Sequence, residues 1–236
     1  MITFTDAIDQ LHTKANSRKA AELKNSIKID RVYLGISNSE LDNIYKIWRK
    51  KIDGEDRIGL AAELWDSNIY EAKIVASKLL TQARISNDEL VWEEILRWIG
   101  TLDHPILADH VCSAGSRRLK ADPSRLTQVS DWVFDENIWK RRSVLTLTMP
   151  WAKINNPKID ELEQRSRIIS WLGTLSVDQE WLIQKAIANW LSSLSKHDLL
   201  KLSLFYQICL PMVLLRVYPI GLKYLRLLDD LAFLLL

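Results

Sequence analysis

Tryptophan recurs at positions 65, 98, 132 and 171, each time toward the C-terminal end of a segment whose apolar residues repeat with helical period. The segments are Leu64-Trp65-Asp66-Ser67, Arg97-Trp98-Ile99-Gly100, Asp131-Trp132-Val133-Phe134 and Ser170-Trp171-Leu172-Gly173. Their spacings of 33, 34 and 39 residues lie in the range at which self-similarity signals stacked helical pairs. A short polar turn follows each Trp, and then a second apolar-periodic segment. One such unit cannot bury its apolar face alone and must stack on its neighbours. The sequence therefore predicts an array of helix–turn–helix units whose second helices line one continuous face.

The rest of the chain agrees with an all-α reading. Seven Gly and six Pro in 236 residues are few for a fold built from short strands and turns. No run alternates with period two long enough for a sheet. Residues 5–24 read as helical with a break at Asn16-Ser17. Ser37 to Glu40 and Ser86 to Glu89 read as capping boxes, and Ser67 as the cap of the helix that follows it. Pro105, Pro123 and Pro157 suit first helical turns. The expected organisation is one domain over 1–198 followed by an atypical Leu-rich tail, 199–236. That tail is apolar at nearly every position, but Lys201, Arg216 and Lys223, with Pro211 and Pro219, interrupt it. A membrane span needs roughly 18–20 uninterrupted apolar residues. The first residues carry no basic-then-apolar signal, so a cytoplasmic location without membrane contact is expected.

A net charge of +2 means that any nucleic-acid function must come from clustering of charge. Cys112 and Cys209 have no metal-site spacing, and His104, His110 and His197 form no HExxH pattern. Gly-rich phosphate loops and nucleophile elbows are absent, and the His and Cys spacings make a metal role unexpected. The second helices start after Ser67, Asp103, Asn137 and Asp178, and six or so residues inward stand Lys73, Asp109, Arg142 and Lys185. Solvated faces of amphipathic helices would produce the same pattern. Taken as a row, these residues outline a groove with cations for phosphates and a single carboxylate. Arg117, Arg118 and Lys120 follow Asp109, while Lys140 and Arg141 precede Arg142, and bidentate Arg–phosphate contacts are a common way to hold a nucleic-acid backbone.

Four local sequences are similar to the AlkD-like family of bacterial DNA alkylation-repair glycosylases. They are Val32-Tyr33-Leu34-Gly35-Ile36-Ser37, Glu63-Leu64-Trp65-Asp66-Ser67, Asn137-Ile138-Trp139-Lys140-Arg141-Arg142 and Ile183-Gln184-Lys185-Ala186-Ile187. Their order and spacing match, and the resemblance covers about residues 5–198. It implies a curved α-solenoid of HEAT-like helix pairs that hydrolyses the glycosidic bond of N3- or N7-alkylated purines without metal or cofactor. By position, Asp109 matches the family's catalytic aspartate and Arg142 its DNA-contacting arginine. The candidate DNA contacts are Arg117, Arg118, Lys140, Arg141 and Lys185. The chain departs from the family at Pro105 and Asn189, where the family carries lesion-facing Trp residues, and in its tail. Trp190 is a candidate aromatic contact beside Asn189, although one helical step turns it by about 100°. A reading-frame change near the codon for Asp198 would produce so abrupt a tail.

The expected function is an alkylpurine DNA glycosylase of weakened activity, acting as a monomer on double-stranded DNA with alkylated bases. The alternatives are a non-catalytic DNA-binding relative and a protein-interaction solenoid. A basic face separates the first two from the third, and base release separates the first from the second.

Overall fold

The computed structural model describes residues 2–85 and 88–198, and the tail from 199 lies outside the described residues. The described residues are helical, with no strand among them beyond an isolated parallel bridge between Val32 and Ile69. No described helix is long and apolar enough to cross a membrane. The chain falls into two compact units, Met1–Val129 and Ser130–Leu236.

The first unit contains α1 (Phe4–His12), α2 (Ser17–Ile27), α3 (Asn38–Lys51), α4 (Gly54–Asp66), α5 (Tyr70–Leu80), α6 (Glu89–Gly100), α7 (Pro105–Ala121) and the short α8 (Leu126–Val129). Thr3 and Ser37 begin α1 and α3 with capping boxes, and the Asn16 side chain caps α2, where the break was expected. Pro105 opens α7, while the His104 ring accepts a hydrogen bond from the Ile106 N–H. Helix α4 packs on α5 and α6 on α7. The second helices α5 and α7 lie side by side. Between them they bury Leu64, Trp65, Val75, Leu79, Trp98, Leu107 and Val111.

The second unit begins with a 3-10 turn, Ser130–Phe134, followed by α9 (Ile138–Leu147), α10 (Met149–Ala152), α11 (Ile159–Leu175) and α12 (Trp181–Ser195). Asn137 caps α9 through its side chain. Here too the second helices, α9 and α12, are neighbours, with α10 and α11 packed on α12. Val144, Leu145, Trp151, Ile168, Leu172 and Trp190 are fully buried.

The repeat is visible in which residues touch. Polar partners recur at separations of 36 or 37 residues: Leu34 N–H to Glu71, Trp65 to Thr101, Lys78 to Asp42, Arg125 to Asp88 and Arg141 to Asp178.

Four local expectations need correction. Ser67 does not cap α5; its hydroxyl turns back to the Leu64 carbonyl at 2.7 Å and ends α4. The first α5 amide is satisfied instead by Val32, whose carbonyl accepts from Tyr70 N–H at 2.9 Å. Pro157 lies before Lys158, the N-cap of α11, so it is outside the first turn. Trp132 sits in the 3-10 turn and Trp171 inside α11, so neither closes an α-helix as Trp65 and Trp98 do. At α6, Ser86 lies outside the described residues. Asp88, the N-cap, makes no side-chain cap because its carboxylate is taken by Arg118 and Arg125.

Gly35 takes a φ of +72°, and both Leu34 and Gly35 donate their amides to the buried Glu71 carboxylate, at 2.9 and 2.6 Å. A Cβ at position 35 would fall 2.3 Å from the Asn16 carbonyl oxygen and 2.5 Å from the Ala20 nitrogen, both backbone atoms. Neither can swing aside without disturbing the start of α2. Gly35→Ala should therefore destabilise the protein by at least about 2 kcal/mol, from left-handed strain together with overpacking. Urea unfolding measures this, and an unchanged midpoint would refute it.

Candidate functional site

Asp109 stands on α7 with an exposed side chain, while its neighbours Leu107, Ala108, Val111 and Cys112 are buried and fix the helix's rotation. A carboxylate on a helix locked this way has a defined direction. Two imidazoles share the helix start. Burial holds both His104 and His110 below the ordinary imidazole range, so they are neutral at pH 7. His104 meets the Tyr70 ring edge-on at 5.9 Å, and burial pushes the Tyr70 hydroxyl up to about 12.

The matching position on α5 does different work. Lys73 donates from Nζ to the Trp65 carbonyl at 2.6 Å and lies 4.4 Å from the centre of the Trp65 ring. That ring stacks on Trp98 at 4.7 Å and 10°. Burial, and then the nearby Arg31 guanidinium, bring the Lys73 amine down to about 8, with Asp103 opposing the shift. Arg31 and Asp103 form an ion pair of their own. The lysine is therefore part of the tryptophan stack. Neither this desolvated amine nor the Arg31–Asp103 pair was legible in the sequence, because their environment comes from several helices.

The basic residues that the sequence grouped together separate in the structure. Arg117 is exposed on α7. Its neighbour Arg118 is 0% exposed, pairs with Asp88 at 2.8 Å and donates to the carbonyls of Gln82 and Ala83. Arg118 is corrected to a structural role, since its guanidinium is committed inside the protein. In the second unit, Lys140 bonds Asp135 at 2.8 Å and keeps about a third of its side chain exposed. Arg141 pairs with Asp178 at 2.7 Å and donates to the carbonyls of Asp135 and Glu136, both at 2.8 Å. It is mainly a clamp on the turn before α9. Arg142 lies on α9 and is 9% exposed.

Lys185 is exposed on α12, with its amine 5.7 Å from the Trp181 ring centre. Asn189 is exposed on the same face. Trp190 is fully buried and donates to the Thr148 carbonyl at 3.4 Å, so it is corrected from candidate aromatic contact to core residue. The single helical step from Asn189 turns it into the interior. Trp181, exposed one turn before Lys185, was missed; its i, i+4, i+8 spacing with Lys185 and Asn189 was the available signal. Among the described residues, no three His, Cys, Asp or Glu side chains gather as a metal site would require.

The family model described as DNA alkylation repair enzyme matches residues 7–207. A solved structure, "Predicted DNA alkylation repair enzyme from Enterococcus faecalis", is similar in fold, with a TM-score of 0.63 and 20% identity over 82% of this chain and 89% of that chain. No curated protein matches.

The Lys73 amine should titrate near pH 8, whereas an ordinary lysine stays charged to about 10.4. Because folding lowers this pKa, the stability of the folded protein should rise with pH between about 8 and 10.4, where the unfolded lysine binds the proton and the folded one does not. An NMR titration of the lysine ε-carbons should show one early-titrating resonance, lost in Lys73→Met. Uniform titration of every lysine above pH 10 would disprove it.

Proposed function

The chain belongs to the DNA alkylation repair enzyme family, and from that membership we propose that it is a DNA N-glycosylase acting on N3- or N7-alkylated purines in double-stranded DNA. The observation that supports this most is the exposed Asp109 carboxylate on a helix locked by its buried neighbours.

The chemistry asks little of the protein beyond that carboxylate. Alkylation leaves the purine cationic, so when the C1′–N bond breaks, its electron pair returns to the base, which departs neutral. Positive charge passes to the sugar as an oxocarbenium ion. Asp109 stabilises this cation as a fixed negative charge and orients a water, whose oxygen bonds to C1′ as its proton passes to the solvent. The product is an abasic site. A preorganised group of this kind needs no reorganisation as charge develops. A base that leaves as a neutral molecule needs no strong general acid, which suits a site whose nearby imidazoles are neutral.

Phosphate contacts fall to Arg117, Lys140 and Lys185, whose side chains remain wholly or partly exposed, with Arg142 positioning the backbone as the family resemblance implies. A second reading, DNA binding without base release, is favoured by one observation. Pro105 and Asn189 occupy the positions of the family's tryptophans, and the adjacent Trp190 is buried. Base release decides between the two.

Incubation with DNA containing N7-methylguanine should release the free base. Asp109→Asn should slow that release by at least about a hundredfold, the scale of losing one preorganised electrostatic group, and leave DNA affinity equal or slightly tighter. An Asp109→Asn protein that releases base at the parental rate would show that the carboxylate is not catalytic.

DNA binding should weaken with salt and depend little on sequence. Four backbone contacts, Arg117, Lys140, Lys185 and Arg142, give a slope of log affinity against log salt near −3.6, at about −0.9 per contact. Lys185→Gln should reduce that slope by about one. An affinity independent of salt would count against the assignment.

A further inference from the structure

All ten tryptophans lie among the described residues, and their burial is uneven. Seven are buried, Trp132 and Trp139 are half-covered, and Trp181 alone is exposed, at 53%. Trp usually hides most of its surface, so an exposed indole on the first turn of a well-packed helix calls for a partner. Helix α12 cannot rotate to bury it. Ile183, Ala186, Ile187, Trp190, Leu191 and Leu194 occupy the opposite face and are all buried.

What surrounds the ring narrows the partner's chemistry. Lys185 places its amine 5.7 Å from the ring centre, and Asn189 continues the same exposed stripe one turn on. Helix α12 contains no Asp or Glu along its length; Glu180, the N-cap, is the nearest acid in sequence. The stripe thus offers an aromatic plane, a cation about 6 Å along the axis and then an amide. A flat π system with a negative charge one helical turn away fits it, which describes a nucleobase and a neighbouring phosphate. Bases paired inside a duplex have both faces covered, so only an unstacked base can use the ring.

We infer that Trp181 is a stacking platform for an unstacked nucleobase, with Lys185 holding the ring and meeting the adjacent phosphate. This rests on the DNA-binding reading above. Because every base has a π face, the contact selects unstacked structure and tolerates any sequence.

The test compares two duplexes of equal length at one salt concentration, one fully paired and one with a central abasic analogue opposite an unpaired base. Affinities are measured by fluorescence anisotropy for the parent, Trp181→Ala and Trp181→Phe. The parent should prefer the duplex with the unpaired base. Trp181→Ala should lose about tenfold on that DNA and less than twofold on the paired one, within the range for one stacked base. Trp181→Phe should retain most of the affinity, as loss of a merely structural indole would not be rescued selectively on one DNA. In the parent, the unpaired-base duplex should also protect the exposed indole from acrylamide quenching more than the paired duplex does, a readout that needs no variant. Equal effects on both DNAs, or no effect and no protection, would overturn the inference while leaving DNA binding in place. A parent that binds neither duplex would overturn both.

Discussion

Guanidinium groups hold the turns of this protein. Helix ends leave carbonyls without intrahelical partners, and a helical-pair repeat has many such ends. Arg57 donates to the carbonyls of Arg49 and Ile52 at the end of α3, and Arg118 to those of Gln82 and Ala83. In the second unit Arg141 binds the carbonyls of Asp135 and Glu136, and Arg165 those of Trp151 and Ile154. The planar fork reaches several acceptors at once, which a lysine cannot do. A buried guanidinium is tolerable only when paired, and Asp88 and Asp198 supply the counter-charges for the fully buried Arg118 and Arg165, as Asp178 does for the half-buried Arg141. Removing one partner of such a buried pair costs about 3–5 kcal/mol.

This use of arginine separates the cations that hold the fold from those that can meet a polyanion. Arg117 and Arg118 are adjacent in sequence and opposite in role: one is exposed, the other 0% exposed. The same partition divides Lys185, at the surface beside Trp181, from Lys73, drawn onto the Trp65 ring and partly desolvated. With a net charge of only +2, the molecule has no broad basic field. Any binding of a polyanion therefore rests on a few placed side chains.

The repeat makes equivalent positions cheap to specialise. Lys73 and Asp109 occupy corresponding places on α5 and α7, yet one closes a tryptophan stack and the other presents a carboxylate to solvent. Their neighbours explain the difference. Lys73 has the Trp65–Trp98 stack within reach, whereas Asp109 sits on an exposed strip of α7 above a buried face. A single helical geometry thus supports both a side chain committed to the interior and one left exposed.

Much of the fold was legible because it rests on local rules. Apolar period, the Ser37 cap, the break at Asn16-Ser17 and the Pro105 helix start all act within a few residues. They determine an all-α chain of helical pairs, and they mark Asp109, Arg142 and Lys185 as polar residues on second helices. Tertiary structure decided which cations face water. The carbonyls held by Arg118 and the carboxylate held by Arg141 lie 35–37 residues away, beyond the reach of any local pattern. It also decided that Trp190 is core while Trp181 is exposed, because burial on α12 depends on which face meets α9, α10 and α11. The sequence by itself determined the helices and their order; the packing of one repeat on the next decided which side chains are held inside and which remain to meet a ligand, since burial and charge pairing are properties of neighbours that are distant in the chain.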